Sequence, residues 1–174
     1  TYCGKPQPSW TFGLNNSFKW NNWDMSFLIT GQCGGKIWSA LGRAIDMQYQ
    51  GNALNRLDHY KDMWLNPDHV GNGKIPAAVG TYGSIEEQFS TRWLYSTDFI
   101  KLKNITLGYR FNFSKDVMVR SLRITASVEN IFMIDNYYGG YSPESNNSGS
   151  QVRAYDYGAY PSARTFSIGC NISL

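Results

Sequence analysis

The chain has 174 residues, of which 16% are aromatic and only 17% charged, and its formal net charge is +3; an ordinary globular domain carries about 25% charged residues. Such aromatic content excludes a disordered chain, and the composition is wrong for a coiled coil or helical bundle. The basic residues are dispersed, which argues against nucleic-acid binding.

Taken from the N-terminus, Thr1 to Gly4 contain no initiator Met, basic stretch or apolar leader, so the sequence is expected to begin partway along a longer protein. A first strand is predicted over 9–20, where Trp10, Phe12, Leu14, Phe18 and Trp20 share one parity. Asn21 and Asn22 tolerate the positive φ of a two-residue hairpin turn. A second strand over 23–33 then carries Trp23, Met25, Phe27 and Ile29 on the same face. This register sets Trp20 opposite Trp23 and Cys33 opposite Trp10, which disfavours a Cys3–Cys33 bridge. The long connection 34–92 holds two helix-like stretches, 36–47 (Ile37, Leu41, Ile45) and 53–64 (Leu54, Leu57, Trp64, after Asn52 as N-cap). Gly71, Asn72, Gly73 and Pro76 mark its turn-rich exit.

A third strand is predicted over 94–113, with Ile105, Leu107, Tyr109, Phe111 and Phe113 on one parity. After a turn at 114–120, a fourth over 121–132 carries Leu122, Ile124, Ala126, Val128 and Phe132. The connection 133–163 is rich in Tyr, Gly, Ser and Asn, and a last strand over 164–174 alternates Phe166, Ile168, Cys170, Ile172 and Leu174 with small polar residues.

No apolar run approaches the ~18 residues of a membrane helix. A mean hydropathy of −0.41 still suits a membrane β-barrel, whose strands alternate apolar and polar residues. The strands are about the length that a tilted strand needs to cross a bilayer, and the connections alternate short and long as in outer-membrane barrels. The expected fold is all-β: a transmembrane antiparallel β-barrel segment of about five strands, with extracellular loops 34–92 and 133–163 containing short helices. The C-terminus is expected in the periplasm, the apolar parity against lipid and the polar parity in the lumen. Five strands are too few to close.

Four stretches resemble one family. Asp98 to Tyr109 (DFIKLKNITLGY) looks like the Y-L-R-L-K-N-I-T-L-G-Y strand of TonB-dependent transporters of the SusC/RagA type. Val128 to Phe132 (VENIF) resembles that family's G-Q-N-L-F strand end, with Val128 and Glu129 in place of Gly and Gln. Asp156 to Phe166 (DYGAYPSARTF) resembles its D-Y-G-x-Y-P-x-x-R-T-F. Pro8 to Gly13 (PSWTFG) is similar to its P-x-W-x-G-G strand entry, and Leu174 ends the chain where Phe is commoner. The resemblance implies the C-terminal part of a 22-stranded barrel in a Bacteroidetes-like outer membrane. The plug and the TonB box would lie in an absent N-terminal part. It further implies import powered by TonB, a SusD-like lipoprotein lid, and oligosaccharides or oligopeptides as substrate. A secreted β-sandwich carbohydrate-binding module and a passive porin-like barrel are the alternatives. No enzyme is expected, because H-E-x-x-H, G-x-S-x-G and P-loop motifs are absent from the sequence. No catalytic residue, metal or cofactor is expected either. His59 and His69 lack ligand spacing, as do the three cysteines.

Substrate contacts are expected from the loops, through Trp38, Trp64, Tyr82, Trp93, Tyr137, Tyr138, Tyr141, Tyr155 and Tyr157, with Asp135, Glu144 and Arg153 as polar partners. Asn104, Arg110, Arg123 and Glu129 have the lumenal parity and are expected to face the plug or pore water; Arg110 and Arg123 should meet across the 114–120 turn. Trp20, Trp23, Phe111 and Phe113 are expected to form a membrane girdle. Phe166, Ile168, Cys170, Ile172 and Leu174 resemble the terminal signal read in barrel assembly. Lys101 and Lys103 are expected either to meet lipopolysaccharide phosphates or to be returned to the lumen by a β-bulge.

Overall fold

The computed structural model describes residues 2–46, 58, 62, 64–73, 90–114, 118–145 and 154–174. In chain order the elements are β1 (Trp10–Trp20), β2 (Trp23–Cys33), β3 (Lys36–Ser39), α1 (Ala40–Asp46), a 3-10 turn (Thr91–Trp93), β4 (Leu94–Ser96), β5 (Phe99–Asn112), β6 (Ser121–Asp135), β7 (Tyr155–Asp156) and β8 (Thr165–Ser173). They divide into two units. A sheet unit comprises Pro8–Gly34, Asp98–Asn136 and Pro161–Leu174; a loop unit comprises Thr1–Gln7, Gly35–Thr97 and Tyr137–Tyr160.

The sheet unit is one antiparallel sheet in the order β1-β2-β5-β6-β8. Period-two alternation gives every strand an apolar and a polar face. The register aligns the apolar positions across strands: Trp23, Tyr109, Ile124 and Cys170 form one row, and Met25, Leu107, Ala126 and Ile168 the next. Asn21 supplies the hairpin turn with a φ of 51°, and Trp10 lies opposite Cys33 and Trp20 opposite Trp23. Apolar side chains on this face stay exposed, with Ile168 at 86% and Trp10 at 74%.

The strand read over 94–113 is in fact two strands in different units. Residues Leu94–Ser96 pair with β3, whereas Phe99–Asn112 pair with β2 and β6. Alternation is blind to such a handover, because each piece alternates on its own. The strand read over 121–132 continues to Asp135, past a bulge. Between Asn104 and Leu102 the register shifts against both neighbours, leaving Lys103 at the irregularity. On β6 the extra residue is accommodated at Asn130, which takes a φ of 54°, a conformation Asn tolerates better than most residues. Asn130 Nδ2 donates to the Ala163 carbonyl at 2.8 Å, and Arg164 donates to the Ile131 carbonyl at 2.5 Å. These two contacts brace the bulge against the chain entering β8. The shift puts Lys101 opposite Thr30 and Met133, on the polar side, where it is buried. Of the two positions expected for Lys101, the bulged one is found.

The loop unit holds a small sheet in the order β4-β3-β7, with β3 and β7 parallel. The helix expected over 36–47 is only its second half. Ile37 and Ser39 alternate with Lys36 and Trp38 in β3, and the chain turns helical at Ala40. The Ser39 hydroxyl accepts from Gly42 N at 2.7 Å, which marks where helix replaces strand. The stretch 53–64 lies almost wholly outside the described residues.

Candidate functional site

On the polar face of the sheet unit an ion pair joins β2 to β6. Asp24 stands opposite Gly108, and Gly108 opposite Thr125. A Cβ at position 108 would come within 2.7 Å of the Asp24 carboxylate. Because that Cβ is missing, Asp24 can lie across β5 and reach β6. There Arg123 grips it with both ends of its fork, Nε to Oδ1 at 3.0 Å and Nη2 to Oδ2 at 2.5 Å. This two-point geometry is the strong form of a carboxylate–guanidinium contact. Arg110 and Arg123 are cross-strand neighbours, as their parity required. Asp24 answers the repulsion between them. Asn104 faces Glu129 across the same ladder and accepts from the Thr106 hydroxyl at 3.2 Å.

At the turn end of the apolar face, Trp23 and Tyr109 meet edge to face with centroids 4.7 Å apart, and Tyr109 meets Phe111 at 4.6 Å. Trp20, Trp23, Phe111 and Phe113 are all exposed. Tyr109 therefore joins the aromatic group that was expected from those four. Along β8, Phe166, Ile168, Cys170 and Ile172 run beside Val128, Ala126, Ile124 and Leu122, with Leu174 just beyond the last pair.

The loop unit is organised by a buried carboxylate. Ser39 and Asp156 are neighbours across β3 and β7, and both are fully buried. Asp156 accepts the Tyr137 hydroxyl at 2.5 Å through Oδ2, and the backbone N–H groups of Gly158 and Ala159 at 2.9 and 3.1 Å through Oδ1. Ser39 donates to the Gly139 carbonyl. Gly139 packs where a Cβ would come within 2.7 Å of the Tyr95 ring and of Ser39 Cβ, and Tyr95 meets Tyr137 edge to face at 5.5 Å. Burial first, then the bond to Asp156, holds the Tyr137 phenol protonated well above its ordinary range.

The opposite side of the small sheet carries aromatic rings. Trp38 and Tyr155 are paired residues and stack at 5.2 Å with 20° between planes; Tyr155 and Tyr157 stack at 6.3 Å and 11°. The Arg43 guanidinium lies over the Trp38 ring, 5.9 Å from its centroid.

The expected substrate residues are thus dispersed in character. Trp38 and Tyr155 are half-buried in the column, and Tyr157 is exposed. Trp93 and Tyr137 are buried and build the unit's interior; Arg92 caps the Trp93 ring at 5.0 Å. Trp64, Tyr138, Tyr141 and Glu144 are exposed, and Asp135 ends β6 opposite Phe99. Tyr82 and Arg153 lie outside the described residues. Among the described residues no group of three or more His, Cys, Asp or Glu could hold a metal ion, and Cys3, Cys33 and Cys170 are exposed and not joined in disulfides. Sequence reasoning missed Asp24, Ser39 and the central place of Asp156. Asp24 had a signal, an acid on the polar parity facing two arginines with a glycine between.

No family model matches the chain. Among curated proteins, the TonB-dependent receptor P39 of Formosa agariphila is 29% identical over 178 residues, covering 100% of this chain and 17% of the receptor. The TonB-dependent receptor SusC of Bacteroides thetaiotaomicron is 25% identical over 173 residues, covering 98% of this chain and 16% of SusC. Among solved structures, the RagAB peptide importer in its open-open state superimposes with a TM-score of 0.77 at 17% identity, over 97% of this chain and 17% of that one. The chain therefore spans about a sixth of the length of the relatives it matches. It is homologous to the SusC-type TonB-dependent receptors, and its fold is that of a segment of the RagA barrel.

Proposed function

We propose that this chain is part of an outer-membrane TonB-dependent importer of the SusC type, which takes up oligosaccharides, or oligopeptides, beneath a SusD-like lipoprotein lid. The carrying observation is the sheet, whose aligned apolar side chains are left exposed by their own chain, in a sequence homologous to TonB-dependent receptors. Lipid removes such a face from water, provided that every backbone group is paired, so the strands need the rest of a closed barrel.

In this reading the C-terminus is periplasmic and loops 34–92 and 133–163 are extracellular. Trp20, Trp23, Tyr109, Phe111 and Phe113 sit at the periplasmic headgroup level. Arg110, Arg123, Asn104 and Glu129 line the lumen. Arg123 is neutralised by Asp24, so Arg110 and Lys19 are the cations offered to the plug. Lys103 lies towards the outer leaflet, within reach of lipopolysaccharide. Residues Phe166 to Leu174 serve as the assembly signal. The loops supply ligand contacts and the seat of the lipoprotein.

The test is uptake by cells carrying the whole receptor gene. Saccharide uptake that disappears on deletion of the gene, and on collapse of the proton-motive force, supports the proposal. Uptake that persists without the proton-motive force would identify a passive pore instead.

A further inference from the structure

We infer that the turn end of the sheet's apolar face is a seat for one phospholipid of net negative charge, its phosphate on Arg120 and an acyl chain in a groove beside Trp23, an inference that rests on the importer reading above and names a lipid partner for it. The groove measures about 420 Å³ and is lined by Trp23, Leu107, Tyr109, Phe111, Ile124 and Ala126. That lies within the ~300–1,000 Å³ of small-ligand sites. It opens because Ala126 is the smallest residue of a row that otherwise holds Met25, Leu107 and Ile168. The edge-to-face contacts of Tyr109 with Trp23 and with Phe111 tie the three rings together and restrain them from folding into the hollow.

Arg120 supplies the headgroup contact. The pairing of β6 runs on past Ser121, for Arg120 donates its N–H to the Ser173 carbonyl and its own carbonyl accepts from Phe113 N. Two residues before Leu122 and four before Ile124, Arg120 carries the apolar parity, and the row it continues holds Phe113 and Leu174. It is exposed, and among the described residues no side chain forms an ion pair with it. A guanidinium on this parity is costly in hydrocarbon but favoured where a phosphate meets it through two parallel N–H···O bonds. Ile124 stands about 13 Å further along the strand, and less in depth on a tilted one. The headgroup zone of one leaflet is about 5–7 Å deep. A phosphate on Arg120 therefore sets the first methylenes beside Phe111 and the next ones at Ile124 and Ala126. A single cation on the row matches a headgroup whose phosphate is not balanced by an amine. Lipopolysaccharide is placed at the other end of the strands by the importer reading.

The experiment uses the whole receptor in vesicles of phosphatidylcholine with a small fraction of phosphatidylglycerol, one lipid or the other carrying bromine, a contact quencher of indole, on its upper acyl chain. The readout is the quenching that disappears in Trp23→Phe, which isolates Trp23 from the other tryptophans. Brominated phosphatidylglycerol should quench Trp23 at about fivefold lower mole fraction than brominated phosphatidylcholine, the weight of one cation at a charged lipid. Arg120→Gln should abolish that preference and Arg120→Lys keep part of it. Ala126→Phe, which fills the groove, should weaken quenching by both lipids. Unchanged heat-modifiability shows that the variants fold. Equal quenching by both lipids in the wild type, or a preference that survives Arg120→Gln, overturns the headgroup contact; quenching indifferent to Ala126→Phe overturns the groove. Both results leave the importer reading standing. A Trp23 that neither lipid quenches overturns the inference, and cross-linking of two receptors through Trp23→Cys then identifies a second copy as the cover. Energised uptake in cells separately decides whether the importer reading falls with it.

Discussion

The two units bury opposite things. The sheet unit leaves Trp10, Phe18, Leu107, Phe166 and Ile168 exposed, whereas the loop unit encloses Ile37, Trp93, Tyr137 and a carboxylate. Each exposed side chain of that size forgoes about 1.5–3 kcal/mol relative to full burial. A row of them is tolerable only where something other than this chain takes them out of water. The loop unit needs no such help, because it has a small interior of its own, pinned by hydrogen bonds. Similar aromatic-rich sequence thus serves two solvents, and the difference lies in whether the apolar positions line up across a sheet or converge on a point.

That contrast can be broken in several places. The largest effect is expected from deleting Phe166 to Leu174, which strips β6 of one of its two partners. The whole receptor should then fail to form a heat-modifiable barrel in outer-membrane fractions; normal heat-modifiable protein would refute the assembly role. Replacing Asp156 with Ala leaves the Tyr137 hydroxyl and two backbone N–H groups without their acceptor. A loss of about 3 kcal/mol is expected, seen as faster proteolysis of the loops while the barrel stays heat-modifiable. Loss of both together would show that the units are not separable.

Ile168→Arg should cost about 2–4 kcal/mol if its face meets the middle of a bilayer, measured as refolding yield in lipid vesicles; on a face that meets water the change stays within about 0.5 kcal/mol. Asp24→Asn is smaller, about 1 kcal/mol, since the pair with Arg123 is partly exposed, and a thermal melt at low and high salt should show the difference shrinking with salt. The smallest effect concerns pH. The folded Tyr137 phenol is raised above its unfolded value of about 10. The stability it brings is complete below that pH and lost as pH rises towards the folded value. Tyrosinate absorbance should show a late-titrating phenol that disappears in Tyr137→Phe.

Much of the sheet could be read directly. Strand parity gave the apolar rows, and the Asn21-Asn22 turn gave the register of β1 on β2, because a two-residue hairpin leaves no freedom in pairing. Parity about the 114–120 turn also brought Arg110 beside Arg123. Asp24 was not identified, since its partner is two strands away and the contact depends on the missing side chain of Gly108. The bulge at Lys103 and Asn130 was foreseen only as one of two possibilities for the lysines; a single extra residue reverses parity, and alternation cannot say where it falls. In the loops, Trp93 and Tyr137 look as available as Tyr157, because aromatic composition does not distinguish an interior ring from an exposed one.

By itself the sequence determined which faces of the strands are apolar, where the tight turn lies and which family the chain resembles, because these depend on residues near one another along the chain. Only the tertiary structure decided that 94–96 and 99–112 belong to different sheets, that Asp24 reaches Arg123, and that Asp156 turns inward while Tyr155 and Tyr157 join Trp38. Those outcomes depend on pairings between residues 19 to 117 positions apart, where small differences in packing and hydrogen bonding, not local pattern, select the partner.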